Sequence, residues 1–435
     1  MSRPAALAVV ALLLAAGVAP AVTANTTTPE AVTAPPAIAD APGTDGASNA
    51  EPTDSNAEAT GSPSTSASTT PGNNTTRRLA LDDATVGNYS RVRLDFAGAM
   101  AFSNERVASE YRTTLVTAQL EEVQSTDART AVVESYLDGV VAEVRAIEAE
   151  QNAAIRQYHA GEIDAETLLV RLAVVDMRAR ALQESMRRVQ TASSPIGIPT
   201  DNRLQAITVE LDSYESRIRS HVATAVTGEL KSGVNDIHVS ASTDGVVVEM
   251  LTDRRYYRNA YRADNREPDA VDRFDRNIRL FRDRVRELYP WSTQGSIQRN
   301  SQVDTYVARN VYRTTYSHPQ GSIAIYVDGG TRDVFHEEQS LVLDRLPRAV
   351  SVRSRTANVS VSVTPTTAGS PVLVNVTRPA SGNASATPLD AVVRVNGNTL
   401  GRTGDDGERW LIAPVGDYQV TVEADGTTVN VSVPN

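Results

Sequence analysis

Apolar residues recur at alternating steps of three and four along "TAVVESYLDGVVAEVRAIEAEQNAAIRQYH", through Val133, Leu137, Val140, Val144, Ile147, Gln151, Ala154 and Tyr158. That spacing draws one stripe down a helix. Gly161 then stops the helix and Asp164 is placed to cap the next. The stripe resumes at Leu168, Leu172, Val175, Ala179, Leu182, Met186 and Val189, and a third runs Leu204, Ile207, Leu211, Tyr214, Ile218, His221 and Ala225. A looser helix is expected upstream, from about Ser103 to Val123. Residues 91–230 therefore predict a helical hairpin or four-helix bundle. The stripes suit an internal core, and the same pattern also suits self-association through helical seams, with Gln151 as a register-setting polar position.

From about residue 234 to 348 the period mixes. "IHVSASTDGVVVEMLTD" reads as two strands around a Thr243-Asp244-Gly245 turn. A helix is predicted from Pro268 to Leu288 on Val271, Phe274, Ile278, Phe281 and Val285, ended by Pro290. "QVDTYVARNVYRTTYS" and "SIAIYVDGGTRDVFH" follow as strands, the second turning on Asp328-Gly329-Gly330. The expected product is a small α+β domain with an antiparallel sheet. Beyond residue 349 the period is two, as in Val359, Val361, Val363 and Val429, Val431, Val433, with many Gly, Pro and Asn turns. This predicts a β-sandwich over 349–435, so the fold class is multidomain α plus β.

The N-terminus departs from all of these patterns. Residues 1–24 carry Arg3, an Ala/Leu/Val run and "AVTA", the pattern of a secretory signal peptide cleaved after Ala24, with an uncleaved N-terminal membrane anchor as the alternative. Residues 25–78 are rich in Ser, Thr, Pro and Ala and too poor in large apolar residues to fold, which predicts a disordered stalk. No second apolar run follows, so the expected location is extracellular, secreted or at the cell surface. Glycosylation sequons at Asn25, Asn73, Asn74, Asn88, Asn358, Asn375, Asn383 and Asn430 cluster toward both ends of the chain.

The 435-residue chain has a net charge of −11 and no cysteine, and Lys231 is its only lysine. Thiol chemistry and disulfides are excluded. The acidity argues against a nucleic-acid partner, and it keeps a protein hydrated where salt screens charge. The five histidines lie far apart with no His-x-x-x-His spacing, so no zinc site is expected. "TGELKSG" lacks the glycine that a phosphate loop needs before its lysine, and no Gly-x-Ser-x-Gly elbow exists. No cofactor is implied. Carboxylate pairs for a hydrolase can come from distant positions, so a secreted hydrolase with its site in 234–348 is the rival to a non-catalytic surface protein.

The most site-like surface feature is "DRRYYRNAYRADNR". Arg254, Tyr257, Arg258, Tyr261 and Arg262 offer guanidinium forks beside aromatic rings, suited to carboxylates, sugar faces or a partner protein at the cell surface. A half-buried strand with arginines in solvent explains the same residues. The runs "YYRNAYR", "ELYPW" and "IYVDGGTRDVFHEEQ" resemble exported proteins of halophilic archaea whose role is unknown, a likeness that implies a compartment and no activity.

The stretch "VRVNGNTLGRTGDDGERWLIAPVGDYQVTVEADG" is similar to the carboxypeptidase regulatory-like (transthyretin-like) family. The matching residues are Val393, Gly397, Gly401, Thr403, Asp406, Gly407, Trp410, Pro414, Gly416, Tyr418, Val420, Val422 and Gly426, with Gly404 inserted. The resemblance implies a non-catalytic β-sandwich in which Gly404 to Gly407 turn a hairpin. Asp405 and Asp406 alone are too few oxygen ligands for calcium.

Overall fold

The computed structural model describes residues 79–81, 86–193, 201–230, 236–290, 304–308, 310–380 and 385–434, all in the compact unit Thr65–Asn435. A short strand, β1 (Val86–Ser90), precedes five helices: α1 (Phe96–Glu122), α2 (Thr126–His159), α3 (Ala165–Ser193), α4 (Asp201–Asp212) and α5 (Arg217–Val226). Their starts follow local chemistry. Asp95, Ser125 and Ser216 cap α1, α2 and α5 by accepting from orphan backbone N–H groups, and Asp164 accepts from Thr167 N at 2.8 Å ahead of α3. Gly161, at φ 75°, reverses the chain between α2 and α3.

All eight positions of the α2 stripe and all seven of the α3 stripe are buried. α3 is the central helix and packs on α1, α2 and α5. The helical prediction holds, with two corrections. α1 starts at Phe96 because Asp95 supplies the cap. The third stripe is two helices, because Ser216 caps α5 and donates its own N–H to Asp176 Oδ1 at 2.7 Å.

The helices lie on an eight-stranded antiparallel sheet formed with β2 (Ile237–Ser242), β3 (Gly245–Leu251), β4 (Arg255–Arg262), β5 (Asp304–Ala308), β6 (Val311–His318), β7 (Gly321–Asp328) and β8 (Val334–Val342). Its order is β1-β2-β3-β4-β8-β7-β6-β5: two four-stranded meanders joined along β4 and β8. β1, from ahead of the predicted helical region, forms one edge. On the helix side, Ile237, Val239, Ala241, Val246 and Val248 pack against Ile155, Tyr158, Leu168, Leu172 and Val222 in one core. The opposite face is covered by α6 (Ile278–Leu288), whose Phe281 and Val285 join Phe274, Tyr312, Ile323 and Ile325.

The predicted helix from Pro268 is ten residues shorter at its start. Val271 is 85% exposed, and the Asp272 carboxylate accepts from Phe274 N and Arg276 N, each at 3.0 Å. A side chain that captures backbone donors in this way competes with helix formation.

The chain ends in a β-sandwich. One layer holds β9 (Val352–Arg355), β10 (Ser360–Thr366), β11 (Gly369–Arg378), β12 (Thr387–Pro388) and, against β11, β15 (Glu408–Leu411). The other is β14-β13-β16-β17, from β13 (Val392–Val395), β14 (Asn398–Arg402), β16 (Tyr418–Ala424) and β17 (Thr427–Val433). Alternate valines of both layers meet inside, as the period of two requires.

Gly404 to Gly407 do not turn a hairpin. β14 pairs with β13 and β15 pairs with β11, so this stretch carries the chain from one layer to the other. The Thr403 hydroxyl fixes the crossing by donating to Leu389 O at 2.7 Å and accepting from Ala391 N at 2.8 Å. Gly407 sits at φ 69° against β11, where a Cβ would lie 2.5 Å from Val376 O.

Candidate functional site

Sheet registry sorts the Arg/Tyr strand. β4 is central, so both of its faces are covered and it offers no continuous surface. Arg258 and Tyr261 are buried, Arg262 is half-buried and bonded to Asp264 and Ala80 O, and Arg254 is exposed. The Arg258 guanidinium donates to Glu337 Oε1 at 2.9 Å and to Leu79 O at 2.5 Å, on the face away from the helices. The predicted binding surface of Arg254, Tyr257, Arg258, Tyr261 and Arg262 is thus divided between two sheet faces and the interior. Alternation along a strand sends neighbours to opposite sides.

Arg258 lines a small cleft of about 160 Å³, and Tyr257 reaches a larger one. It lies on the helix side, between the α4–α5 connection and the sheet, with a volume of about 570 Å³. α3 contributes Arg180, α4 its last residue Asp212, the connection Glu215 and Ser216, and α5 Ser220 and His221, while Arg313 of β6, Tyr326 of β7 and Glu338 of β8 rise from the sheet. The α4–α5 break creates the cleft by bringing Glu215 and the capping Ser216 to the end of the sheet.

Its charges are interleaved. Arg180 bridges Asp176 and Glu215 at 2.8 Å each, and Arg313 pairs with Asp212 Oδ2 at 2.6 Å. Glu338 Oε1 accepts from Arg217 N at 3.0 Å. Burial raises the Asp212 and Glu338 carboxyls above the usual range. Glu215 is pushed up to about 7, chiefly by burial, with Arg180 opposing and Asp176 and Asp212 adding to the rise. Its second oxygen, Oε1, is buried with no hydrogen-bond partner. Oε1 thus has no protein donor in a cleft that Tyr257 and Tyr326 also line.

Among the described residues no group of three His, Asp or Glu side chains is placed to hold a metal ion. The histidines stay apart. His238 and His336 are buried on different strands, His221 lines the cleft, and burial lowers His318 to about 4. Asn88 is exposed and donates to Tyr158 OH at 3.1 Å. Asn358 and Asn430 are exposed on the sandwich, and half-buried Asn375 donates to Glu408 at 3.1 Å. Asn25, Asn73, Asn74, Asn383, Lys231, the signal pattern and the stalk lie outside the described residues.

A second cleft, of about 440 Å³, marks the joint between the sheet and the sandwich. Tyr89 on β1 donates to Ile412 O at 2.5 Å, Arg91 donates to Thr399 O at 3.2 Å, and Asp236 meets both Arg91 and Arg409. Trp410 joins the apolar cluster of Tyr256, Leu341, Leu343 and Leu346, and Arg348 lies 5.8 Å from its ring centroid.

Compared with known families, residues 1–231 match a domain of unknown function (DUF7096). The chain belongs to that family. Residues 237–347 match a second family of unknown function (DUF7094), and residues 351–431 match the archaeal fibronectin-III type-like domain. The C-terminal module is accordingly an archaeal fibronectin-III-like β-sandwich. No curated protein and no solved structure matches the chain.

Proposed function

We propose that this is an exported, N-glycosylated surface protein with a structural and interaction role and no catalytic activity. The observation that carries the reading is the joint. Tyr89, Arg91, Asp236 and Arg409 fasten the sheet to the sandwich through directional bonds, so the helices, sheet and sandwich form a stiff unit suited to presenting a surface. Exposed Asn358 and Asn430 support glycosylation, since glycans there would cover the sandwich without entering its core. The carboxypeptidase regulatory-like likeness of residues 393–426 fits the same accessory role. To test this, cells are separated into medium, surface and membrane fractions, and the mature N-terminus and glycan mass are measured. An intracellular, unmodified chain beginning at Met1 would overturn the reading.

The cleft favours a second reading, a ligand-binding ectodomain that uses Tyr257 and Glu215 in place of the whole Arg/Tyr strand. Its support is the vacant Glu215 acceptor. Screening sugars and amines by thermal shift, wild type against Tyr257→Ala, tests it; equal responses would remove the cleft as the site. For the hydrolase alternative, expected within 234–348, the cleft offers Glu338 from that segment, beside Asp212 and Glu215 from outside it. Their bonds to Arg313, Arg180 and Arg217 N weigh toward structural use, and turnover of a glycoside or peptide panel that is lost in Glu215→Gln would revive it.

A further inference from the structure

Helix α1 carries large apolar residues on its outer side as well as its inner one. Its buried side presents Gly98, Phe102, Ser109, Thr113 and Leu120, and the polar members are tied inward: Ser109 Oγ donates to Ala181 O at 3.3 Å, and Thr113 Oγ1 donates to Ser185 Oγ at 2.7 Å. Its outer side carries Phe96, Met100, Val107 and Tyr111, exposed by 77%, 50%, 67% and 52%. An ordinary surface helix keeps its outer side polar. Among the described residues, the other exposed large apolar side chains are Leu94, Val271, Ile278, Leu280, Val350 and Val415, no more than two of them on any one helix or strand.

The outer positions have a register. Ala97, Met100, Asn104, Val107, Tyr111, Thr114 and Ala118 step by three and four without a break, and all are exposed. This is the a/d seam of a two-stranded coiled coil, with Ala97, Asn104, Tyr111 and Ala118 at a and Met100, Val107 and Thr114 at d. The flanking e and g positions are Phe96, Ala101, Ser103, Ala108, Glu110, Leu115 and Thr117, with Glu110 the one charge among them. The seams of α2 and α3, by contrast, are filled from within the molecule.

We propose that the outer face of α1 is a self-association surface, which pairs in parallel and in register with α1 of a second copy. Two features select a second copy. Asn104 at a central a position carries both donor and acceptor, so it satisfies itself across a parallel pair, as polar a residues do when they fix register. The chain also carries a net charge of −11, so copies repel except through a surface nearly free of charge; the seam from Ala97 to Ala118 is such a surface, and Glu121 at the next d position ends it. The seam from Ala97 to Ala118 is roughly 30 Å long and a helix about 10 Å wide. Its footprint, on the order of 300–400 Å² per copy, is below the ~800 Å² of a standard interface. The pairing is therefore weak in dilute solution and effective where copies are concentrated at a surface.

The absence of cysteine gives a clean test. Full-length Asn104→Cys is exposed to a mild oxidant beside Thr428→Cys, a control at an exposed position of β17. Asn104→Cys forms a disulfide-linked dimer, Thr428→Cys does not, and adding Val107→Glu to Asn104→Cys lowers the dimer yield at least tenfold. Equal yields from the two cysteine variants, or a yield unchanged by Val107→Glu, would overturn the proposal. So would a monomer that sediments with neutral phosphatidylcholine vesicles and loses this with Val107→Glu, because the face would then serve a lipid surface. Circular dichroism of Val107→Glu matching the wild type excludes unfolding as the cause of a lost dimer.

Discussion

Replacing Arg258 by alanine separates a structural strand from a binding one. Side-chain exposure is 5% for Arg258 and 0% for its partner Glu337. Removing one member of such a buried pair typically costs about 3–5 kcal/mol, because the other charge stays uncompensated. Glu337 keeps three donors, Leu79 N and Tyr289 OH at 2.7 Å and Gln339 Nε2 at 2.6 Å, which places its share near the low end. Loss of the bond from Arg258 to Leu79 O adds about 1 kcal/mol. The sum is ~3–4 kcal/mol, or a melting temperature lower by roughly 4–5 °C for a compact unit of this size. Differential scanning calorimetry reads the shift directly, and the double variant Arg258→Met with Glu337→Met loses less than the two single changes added together. An Arg258→Ala protein that melts within about 2 °C of wild type would refute the burial argument.

Two other changes probe the cleft and the sandwich. The Glu215 carboxyl rises from 4.5 to about 7 on folding, so its ionisation in the folded protein costs nothing below pH 4.5, an increasing amount from there to 7, and a constant amount above. Glu215→Gln removes that cost. Against wild type it should gain on the order of 1–3 kcal/mol between pH 4.5 and 8 in urea unfolding, and a difference that stays flat with pH would show that the cleft does not desolvate Glu215. In the sandwich, Gly407→Ala must place a Cβ 2.5 Å from Val376 O at φ 69° and should cost ~2 kcal/mol or more, whereas Gly404→Ala, at φ 79° in open surroundings, should cost about 1. Equal losses in the two variants would refute the layer-crossing account.

Periodicity made the helices, the strands and the sandwich legible because burial on one face leaves a repeat that no other force imposes. The stripes of α2 and α3 are the clearest case. The failures share a physical cause, a short polar side chain that captures backbone groups. Ser216 breaks the third stripe and Asp272 unwinds the start of the predicted helix. Strand partnering was invisible for a different reason. "DRRYYRNAYR" has the same alternation at a sheet edge as at its centre, and only the β4–β8 pairing buries Arg258. The cleft had no sequence signature, since Arg180, Asp212, Glu215, Arg313 and Glu338 come from separate elements. Asp176, a carboxylate beside the apolar stripe of α3, was the one available hint.

The two meanders of the sheet explain why the charged residues stand where they do. Each meander alone is an ordinary half-buried sheet, but joining them along β4 and β8 moves two former edge strands to the centre and covers both their faces. Arginine and glutamate on those strands lose solvent together, and they remain tolerable only as partners, as Arg258 and Glu337 are on one face. On the other face the same join meets the α4–α5 break, where the helices do not reach across the sheet. Charge there is left half solvated, in Glu215, Glu338 and Arg313, and a cleft results. One pairing thus converts the sequence's most surface-like segment into core and places the open polar site at the gap beside it.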